Sequence, residues 1–344
     1  MSKATIADIA REAGVSVTTV SRFINGNYRK MSPATRLRIQ ATVNRLDYTP
    51  RASARQLRRG QSMIVGVIVG DISNVFSSLL FKGIYNVLQP SGYDIMLMNS
   101  NNSVDQEKDE IERLLSQQVD GLIIQPNACY FEAYKSISTA HLPLVMVDRL
   151  IGDQPHQISQ VASDNFDSCF SLGSKLLSGP YRKVVVLSRV LSQVSAQTIR
   201  AEGFERASQA LKKKYVRIEM GDHDGSWLSK QIRKEITDMA EDGSTGKTLL
   251  VSLMGPLLFE TLASLRELGL VFPRDLGLVS FDDWDWSQYV ENGIYLLEQD
   301  PKAMGEQAAS NLCLQMKEAK AGRDPYGVSK SYSLPVKNVP APSV

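Results

Sequence analysis

The sequence predicts an all-α head carrying a helix-turn-helix, followed by an α/β core built from parallel sheets. Residues 5–27 pack two short helical patterns and a glycine turn into a single stretch. Positive charge is concentrated in residues 1–60, with 12 Lys/Arg against 3 Asp/Glu, whereas the remainder holds 27 against 34. A basic segment on an acidic body points to a polyanion-binding head. From residue 62 onward, buried-strand runs alternate with helical patterns, the mark of βαβ units. At 344 residues the chain has room for two or three domains with substantial cores.

The first helix is predicted from Ile6, Ile9, Ala10 and Ala13, which fall on one face at i, i+3, i+4, i+7. Thr5 and Asp8 form a capping-box pair at its start, and Gly14 supplies the positive φ that ends it. Ser16 is a natural N-cap for the second helix, whose Val20 and Ile24 face inward. Its outer face, Val17, Thr18, Ser21, Arg22 and Asn25, is free to read DNA. Ser32-Pro33 opens a third helix with Ile39, Val43 and Leu46 inward, and Tyr48-Thr49-Pro50 is expected to stop it. Arg51–Arg59 has almost nothing apolar to bury except Leu57, so it reads as a linker, marginal alone and helical once its charges are neutralised.

In the body, MIVGVIV, YDIMLMN, GLIIQP, LPLVMVD, KVVVLSR, KTLLVSLM and LGLVSFDD read as strands. Helices are expected through Phe76–Val87 and over 105–118, 164–180, 196–210 and 257–268. So many units after one linker predict two sheets and a cleft. The tail VPAPSV reads as disordered. Cys129, Cys169 and Cys313 fit no metal-ligand spacing and are expected to be reduced core residues of a cytoplasmic protein. MSKATIADIA has no signal-peptide pattern, and no apolar run approaches the roughly 20 residues that span a bilayer.

In their order and spacing, TIADIAREAGVSVTTVSRFING, PRASARQLR, VGVIVGDISNVF, QVDGLIIQP, VMVDR, RAEGF, LGLVSFDD and EQDPKAMGEQAA resemble the lactose/galactose repressor (LacI/GalR) family over essentially the full chain. The resemblance implies a DNA-binding head over 1–50, a hinge helix over 51–60 and a periplasmic-binding-protein-like core of two Rossmann-like subdomains over 61–344. The amino-terminal subdomain is expected at about 61–161 and 293–324, the carboxyl-terminal one at about 162–292 and 325–340. It further implies a homodimer on a pseudo-palindromic double-stranded DNA operator and a small carbohydrate effector in the cleft, with no cofactor, metal or membrane.

Matched position by position, Val17, Thr18 and Arg22 stand where family members contact base edges, and Arg22 can pair bidentately with guanine. Thr5, Ser16, Ser21 and Asn25 join the DNA-facing set, the last three suited to phosphates. The leucine matching Leu57 enters the minor groove and unstacks a central step, as apolar wedges do. Ala54 is small enough for close approach, and Arg55 and Arg58 can meet phosphates.

Ligands of open α/β sheets bind at the carboxyl ends of strands, which singles out Asp71, Asn74, Asp148, Arg149, Arg189 and Asp282. Arg200, three residues before Gly203-Phe204, matches a frequent ligand position of the family. Phe76, Trp284 or Trp286 offers a ring to a sugar face. Two departures from the family stand out. Met254-Gly255 replaces a common Asn-Asp pair, and Thr198 replaces an arginine found in several sugar binders. With Arg149, Arg189 and Arg200 available, the expected effector is anionic, a sugar acid or sugar phosphate. The run FDDWDW is similar to that of ketodeoxygluconate-type regulators and points the same way. The alternative is that these arginines pair structurally with Asp148, Asp164 and Asp282.

The function these features predict is an effector-controlled transcriptional repressor of carbohydrate catabolism. The alternative is a catabolite-control regulator that uses a phosphorylated protein corepressor. A transport or chemoreceptor binding protein would need an export signal. An enzyme is not expected, since His141, His156 and His223 lie in unrelated places without a nucleophile elbow, P-loop or metal cluster.

Overall fold

The computed structural model describes residues 4–24, 26–48, 61–189, 195–241, 246–282, 286–291 and 293–344. Asn25, the linker positions Ala54, Arg55, Leu57 and Arg58, and Trp284 lie outside the described residues. Two compact units result, residues 1–63 and 64–344.

In the first unit, α1 (Ile6–Glu12), α2 (Val17–Ile24) and α3 (Pro33–Arg45) enclose Ile9, Ala10, Ala13, Val20, Phe23 and Ile39. Burying each large side chain of this kind contributes about 1.5–3 kcal/mol. The capping box at Thr5 and Asp8 is present, Gly14 sits at φ +62°, and Ser32 caps α3 with Pro33 at its first position. Helix α3 stops at Arg45, with Asp47 already at φ +45°. It therefore ends before the proline that was expected to stop it.

The second unit runs β1 (Ile64–Val69), α4 (Val75–Leu88), β2 (Asp94–Asn99), α5 (Val104–Ser116), β3 (Gly121–Ile124), α6 (Lys135–Thr139), β4 (Leu144–Val147) and β5 (Ser159–Ser163). Next come α7 (Asn165–Leu177), β6 (Tyr181–Ser188), α8 (Ser195–Ala210), β7 (Lys214–Glu219), α9 (Gly225–Glu241) and β8 (Lys247–Ser252). It closes with α10 (Gly255–Leu268), β9 (Leu276–Phe281), β10 (Tyr295–Glu298), α11 (Pro301–Lys320), β11 (Tyr332–Leu334) and β12 (Lys337–Val339).

Two six-stranded sheets form, ordered β11-β5-β4-β3-β1-β2 and β12-β10-β9-β8-β6-β7. Every pairing is parallel except β10 with β12. Helices on both faces explain why strands such as IVGVIV are continuous apolar runs rather than alternating ones. In each sheet the strand order reverses beside the first strand, at β1 and at β6, which creates the crevice where such sheets bind ligands.

The subdomain edges differ from expectation. Strand β10 belongs to the second sheet and β11 to the first, so the chain crosses after β5, after β10 and between β11 and β12. Helix α11 returns to the first sheet, burying Met304, Ala308, Ala309, Leu312 and Met316. Gly83 and Gly305 let α4 and α11 touch backbone to backbone, because a Cβ at either would strike a carbonyl of the other helix. The tail 339–344 is ordered rather than disordered. Ser343 donates through Oγ to the Leu278 carbonyl at 2.6 Å and accepts the Tyr295 N–H at 2.7 Å, while its own carbonyl accepts Leu278 N–H at 2.9 Å. Of the three cysteines only Cys169 is a core residue, and burial pushes its thiol up and out of reactive range. Cys129 is exposed and Cys313 half-buried.

Candidate functional site

In the head, the candidate reading surface is the outer face of α2. Ser16 accepts the Thr19 N–H at 3.1 Å and so starts the helix. Val17 is 43 % exposed, and Thr18 and Arg22, one turn apart, are also in solvent. Arg22 makes no ion pair among the described residues, so its fork is available to a partner. Ser21 is a correction: it is 3 % exposed, turned toward the core rather than outward. The Thr5 hydroxyl is occupied at the α1 cap, donating to Asp8 at 2.6 Å and accepting its N–H at 3.3 Å. The hydrogen bonds that the Thr5 hydroxyl and the Thr5 backbone N–H donate to Asp8 hold its carboxyl below its ordinary pKa.

In the second unit a cavity of about 430 Å³ opens between the two sheets. Asp71, Asn74, Phe76, Asp148, Arg149, Arg189, Arg200 and Asp282 all line it. Trp286 does not; it stacks on Phe259 with ring centroids 4.3 Å apart and packs against the second sheet's core.

On the first sheet's wall, Asp71 closes a turn by accepting Ser73 N–H at 2.9 Å, and Asn74 caps α4 by accepting Phe76 N–H at 3.0 Å. Phe76 is a core side chain whose edge reaches the cavity. Gln125 accepts Gly70 N–H at 2.8 Å and donates to Asp148 at 2.7 Å, which fixes the carboxylate just past β4. Arg149 donates to the side-chain oxygens of Asn127 and Asn102 and to the Pro126 carbonyl. Burial works against its charge, while Asp148 and Glu107 favour it. Its Nε is buried with no hydrogen-bond partner among the described residues.

On the opposite wall, Gln299 donates to Asp282 from its backbone N–H at 2.9 Å and its side-chain amide at 2.6 Å, mirroring the Gln125–Asp148 clamp. Burial pushes the Asp282 carboxyl up to about 6, against the pull of Arg200. Both aspartates sit in left-handed backbone, at φ +65° for Asp148 and +48° for Asp282. Such backbone is strained for a non-glycine residue and often marks a site. Arg200 lies over the Phe281 ring at 3.8 Å and donates to Asn165 at 2.8 Å and the Leu253 carbonyl at 2.7 Å. Arg189 pairs with Glu260.

Ion pairing of the three arginines with Asp148, Asp164 and Asp282 does not occur among the described residues. Arg149 and Arg200 are held by neutral oxygens, and Asp164 caps α7 instead. Sequence reasoning missed the cavity's amides, Asn102, Gln125, Gln197 and Gln299, and the carboxylate of Asp222. Gln125 and Gln299 lie inside QVDGLIIQP and EQDPKAMGEQAA, but an uncharged amide carries no signal until its partner is known. His223 stacks on Trp227 at 4.1 Å. Among the described residues there is no cluster of His, Cys, Asp and Glu placed to hold a metal, and no helix long and apolar enough to cross a membrane.

Residues 5–51 match the family described as "Bacterial regulatory proteins, lacI family", and residues 65–321 match the "Periplasmic binding protein domain". The HTH-type transcriptional regulator KdgR of Bacillus subtilis is 30 % identical, with 88 % of each chain covered. The HTH-type transcriptional regulator PtxS of Pseudomonas putida is 27 % identical over 90 % of this chain and 88 % of its own. In fold, the chain is similar to the Lac repressor dimer bound to operator and the anti-inducer ONPF, with TM-score 0.80, 23 % identity and 99 % of each chain covered.

Proposed function

The chain belongs to the lacI family of bacterial regulatory proteins, and from that premise we propose that its cleft takes a sugar acid that governs operator binding. It is a DNA-binding transcriptional repressor with a small-molecule effector in carbohydrate metabolism. The observation that carries the anionic reading is Arg149 and Arg200, 8 % and 4 % exposed, held at the cavity by neutral groups. Guanidinium groups in that state favour a carboxylate. Asp148 and Asp282 add fixed acceptors for hydroxyls, and a ligand bearing both a carboxylate and hydroxyls answers both.

In this reading the cleft binds and releases its ligand unchanged, in the cytoplasm, within a homodimer. Ligand bridging of the two walls closes the sheets on each other and shifts the start of the body, where the linker 51–60 ends. That shift decides whether two linkers pair over one minor groove with Leu57 as wedge. Effector and operator are then reciprocally coupled, typically by about 1–3 kcal/mol. Calorimetric titration with ketodeoxygluconate, uronates and neutral hexoses, repeated with operator DNA at fixed salt, tests it. Binding of an acid with a changed operator affinity is expected; a preference for neutral hexose overturns the anionic reading.

At the head, Arg22→Ala is expected to cost about 1–3 kcal/mol of operator affinity and to relax specificity at one base pair. Competition titrations with single-base operator variants measure this. A uniform loss across all variants would assign Arg22 to the phosphates instead.

A further inference from the structure

We propose that Glu107, a buried carboxylate outside the cavity, is a positioning residue for effector binding: through the loop after β3 it sets where Arg149 presents its guanidinium. The proposal rests on the effector reading above and deepens it. Glu107 lies on α5 at i, i+4, i+7 with Ile111 and Leu114, on the stripe that this helix turns to the core, and it is 1 % exposed. An apolar side chain would fill such a place at no electrostatic cost, whereas a carboxylate there requires partners. Burial pushes its carboxyl up, and hydrogen bonds from Tyr134 and Asn127 pull it back down. Glu107 does not line the cavity, so the ligand is not the partner that explains it.

The groups that reach Glu107 come from one short segment after β3. It accepts the Asn127 N–H at 2.9 Å and the Tyr134 hydroxyl at 2.5 Å, and that hydroxyl accepts the Ala128 N–H at 3.1 Å. Two consecutive backbone donors are thereby tied to one carboxylate. Such a carboxylate accepts on both oxygens, whereas an amide accepts on one. A glutamine in its place would turn an N–H toward either Asn127 or Tyr134, and the loop would have to move.

The same loop holds Arg149. Asn127 accepts Arg149 through Oδ1 and donates to Ser100 Oγ at 2.7 Å, while the Pro126 carbonyl takes a longer contact from Nη1 at 3.4 Å. Nη2 rests on Asn102, and Nε is buried with no hydrogen-bond partner among the described residues. Arg149 itself is 8 % exposed and lines the cavity. One end of its fork is therefore fixed by residues 126 and 127, beside the backbone that Glu107 and Tyr134 pin. A shift of that loop swings the guanidinium. Recognition by a planar fork depends on its direction, so a small rotation weakens binding with the charge unchanged.

The test is calorimetry on the full chain with ketodeoxygluconate, galacturonate and galactose as probes, arranged as a double-mutant cycle. Glu107→Gln is expected to lower acid affinity about tenfold, with unliganded operator affinity within about twofold of the parent. In an Arg149→Met background, where Arg200 still faces the cavity, the same change is expected to alter acid affinity by less than about twofold. The group that Glu107 positions is then gone. Should Glu107→Gln not fold, Tyr134→Phe, which removes one donor and leaves the carboxylate, carries the same cycle with a smaller loss. An equal loss in both backgrounds overturns the proposal, since Glu107 would then act on the fold at large. Acid affinity unchanged by the substitution in the parent background overturns it too, and leaves the sugar-acid reading standing. A parent protein that binds galactose alone overturns the sugar-acid reading, and the cycle run with galactose then decides this proposal separately. A parent that binds none of the three overturns both.

Discussion

Replacing Arg200 by Met is expected to remove the response to sugar acids while unliganded operator binding stays at the parent level. Truncating one side of a buried, hydrogen-bonded charge contact costs about 2–5 kcal/mol, or about 30-fold to several thousand-fold in affinity. The substitution also strips the Asn165 side chain and the Leu253 carbonyl of their donor. An orphaned buried acceptor costs about 1–3 kcal/mol, so the melting temperature should fall as well. Arg200→Lys separates the two effects, because it keeps the charge over the Phe281 ring without the planar fork. The expected order of acid affinity is Arg, then Lys, then Met, measured by calorimetry, with operator titration as the control. Equal acid affinity in all three would remove Arg200 from the ligand's contacts.

Asp282→Asn is expected to stabilise the protein above pH 7 and to weaken effector binding. Burial raises the Asp282 carboxyl from an ordinary 3.8 to about 6. Between those values the folded state holds a proton that the unfolded chain releases. Stability therefore falls as pH rises from about 4 to about 6, and it stays reduced above that range. A gap of that size is worth about 3 kcal/mol once the group is ionised. Asparagine cannot ionise. It can accept the Gln299 N–H through Oδ1 while the Gln299 amide turns over to accept from Nδ2. The gain should approach about 3 kcal/mol at pH 7–8 and vanish near pH 4, read from urea melts at the two pH values. A gain independent of pH would place its origin in packing rather than in the charge. A carboxylate kept at such a cost in the cleft, rather than an amide, is what a ligand-gripping acceptor requires.

Much of the head was legible in the residues because its signals are local. Caps at Thr5, Ser16 and Ser32 and the glycine turn each act within four residues, and the structure repeats them. Ser21 was misplaced because the periodicity of α2 leaves it at the edge of the apolar stripe. The packing of α1 and α3 around α2 decides that it turns inward. Strands ending in chemistry-bearing residues pointed to one wall or the other of the cleft, since parallel sheets put those ends together. The tail read as loose from its proline content, yet backbone bonds to Leu278 and Tyr295, far away in the chain, hold it in place.

By itself, the sequence determined the helix-turn-helix, the alternation that makes two parallel sheets, the basic head on an acidic body, and eight of the side chains around the cavity. Tertiary structure alone decided which strands cross between sheets, that Arg149 and Arg200 rest on neutral oxygens rather than on aspartates, and that Gln125 and Gln299 clamp Asp148 and Asp282. The physical reason is range. A helix cap or an apolar period is complete within a few residues, whereas the state of a buried charge depends on partners brought together from distant segments. Arg200 finds its acceptors at Asn165 and Leu253, on separate elements of the fold.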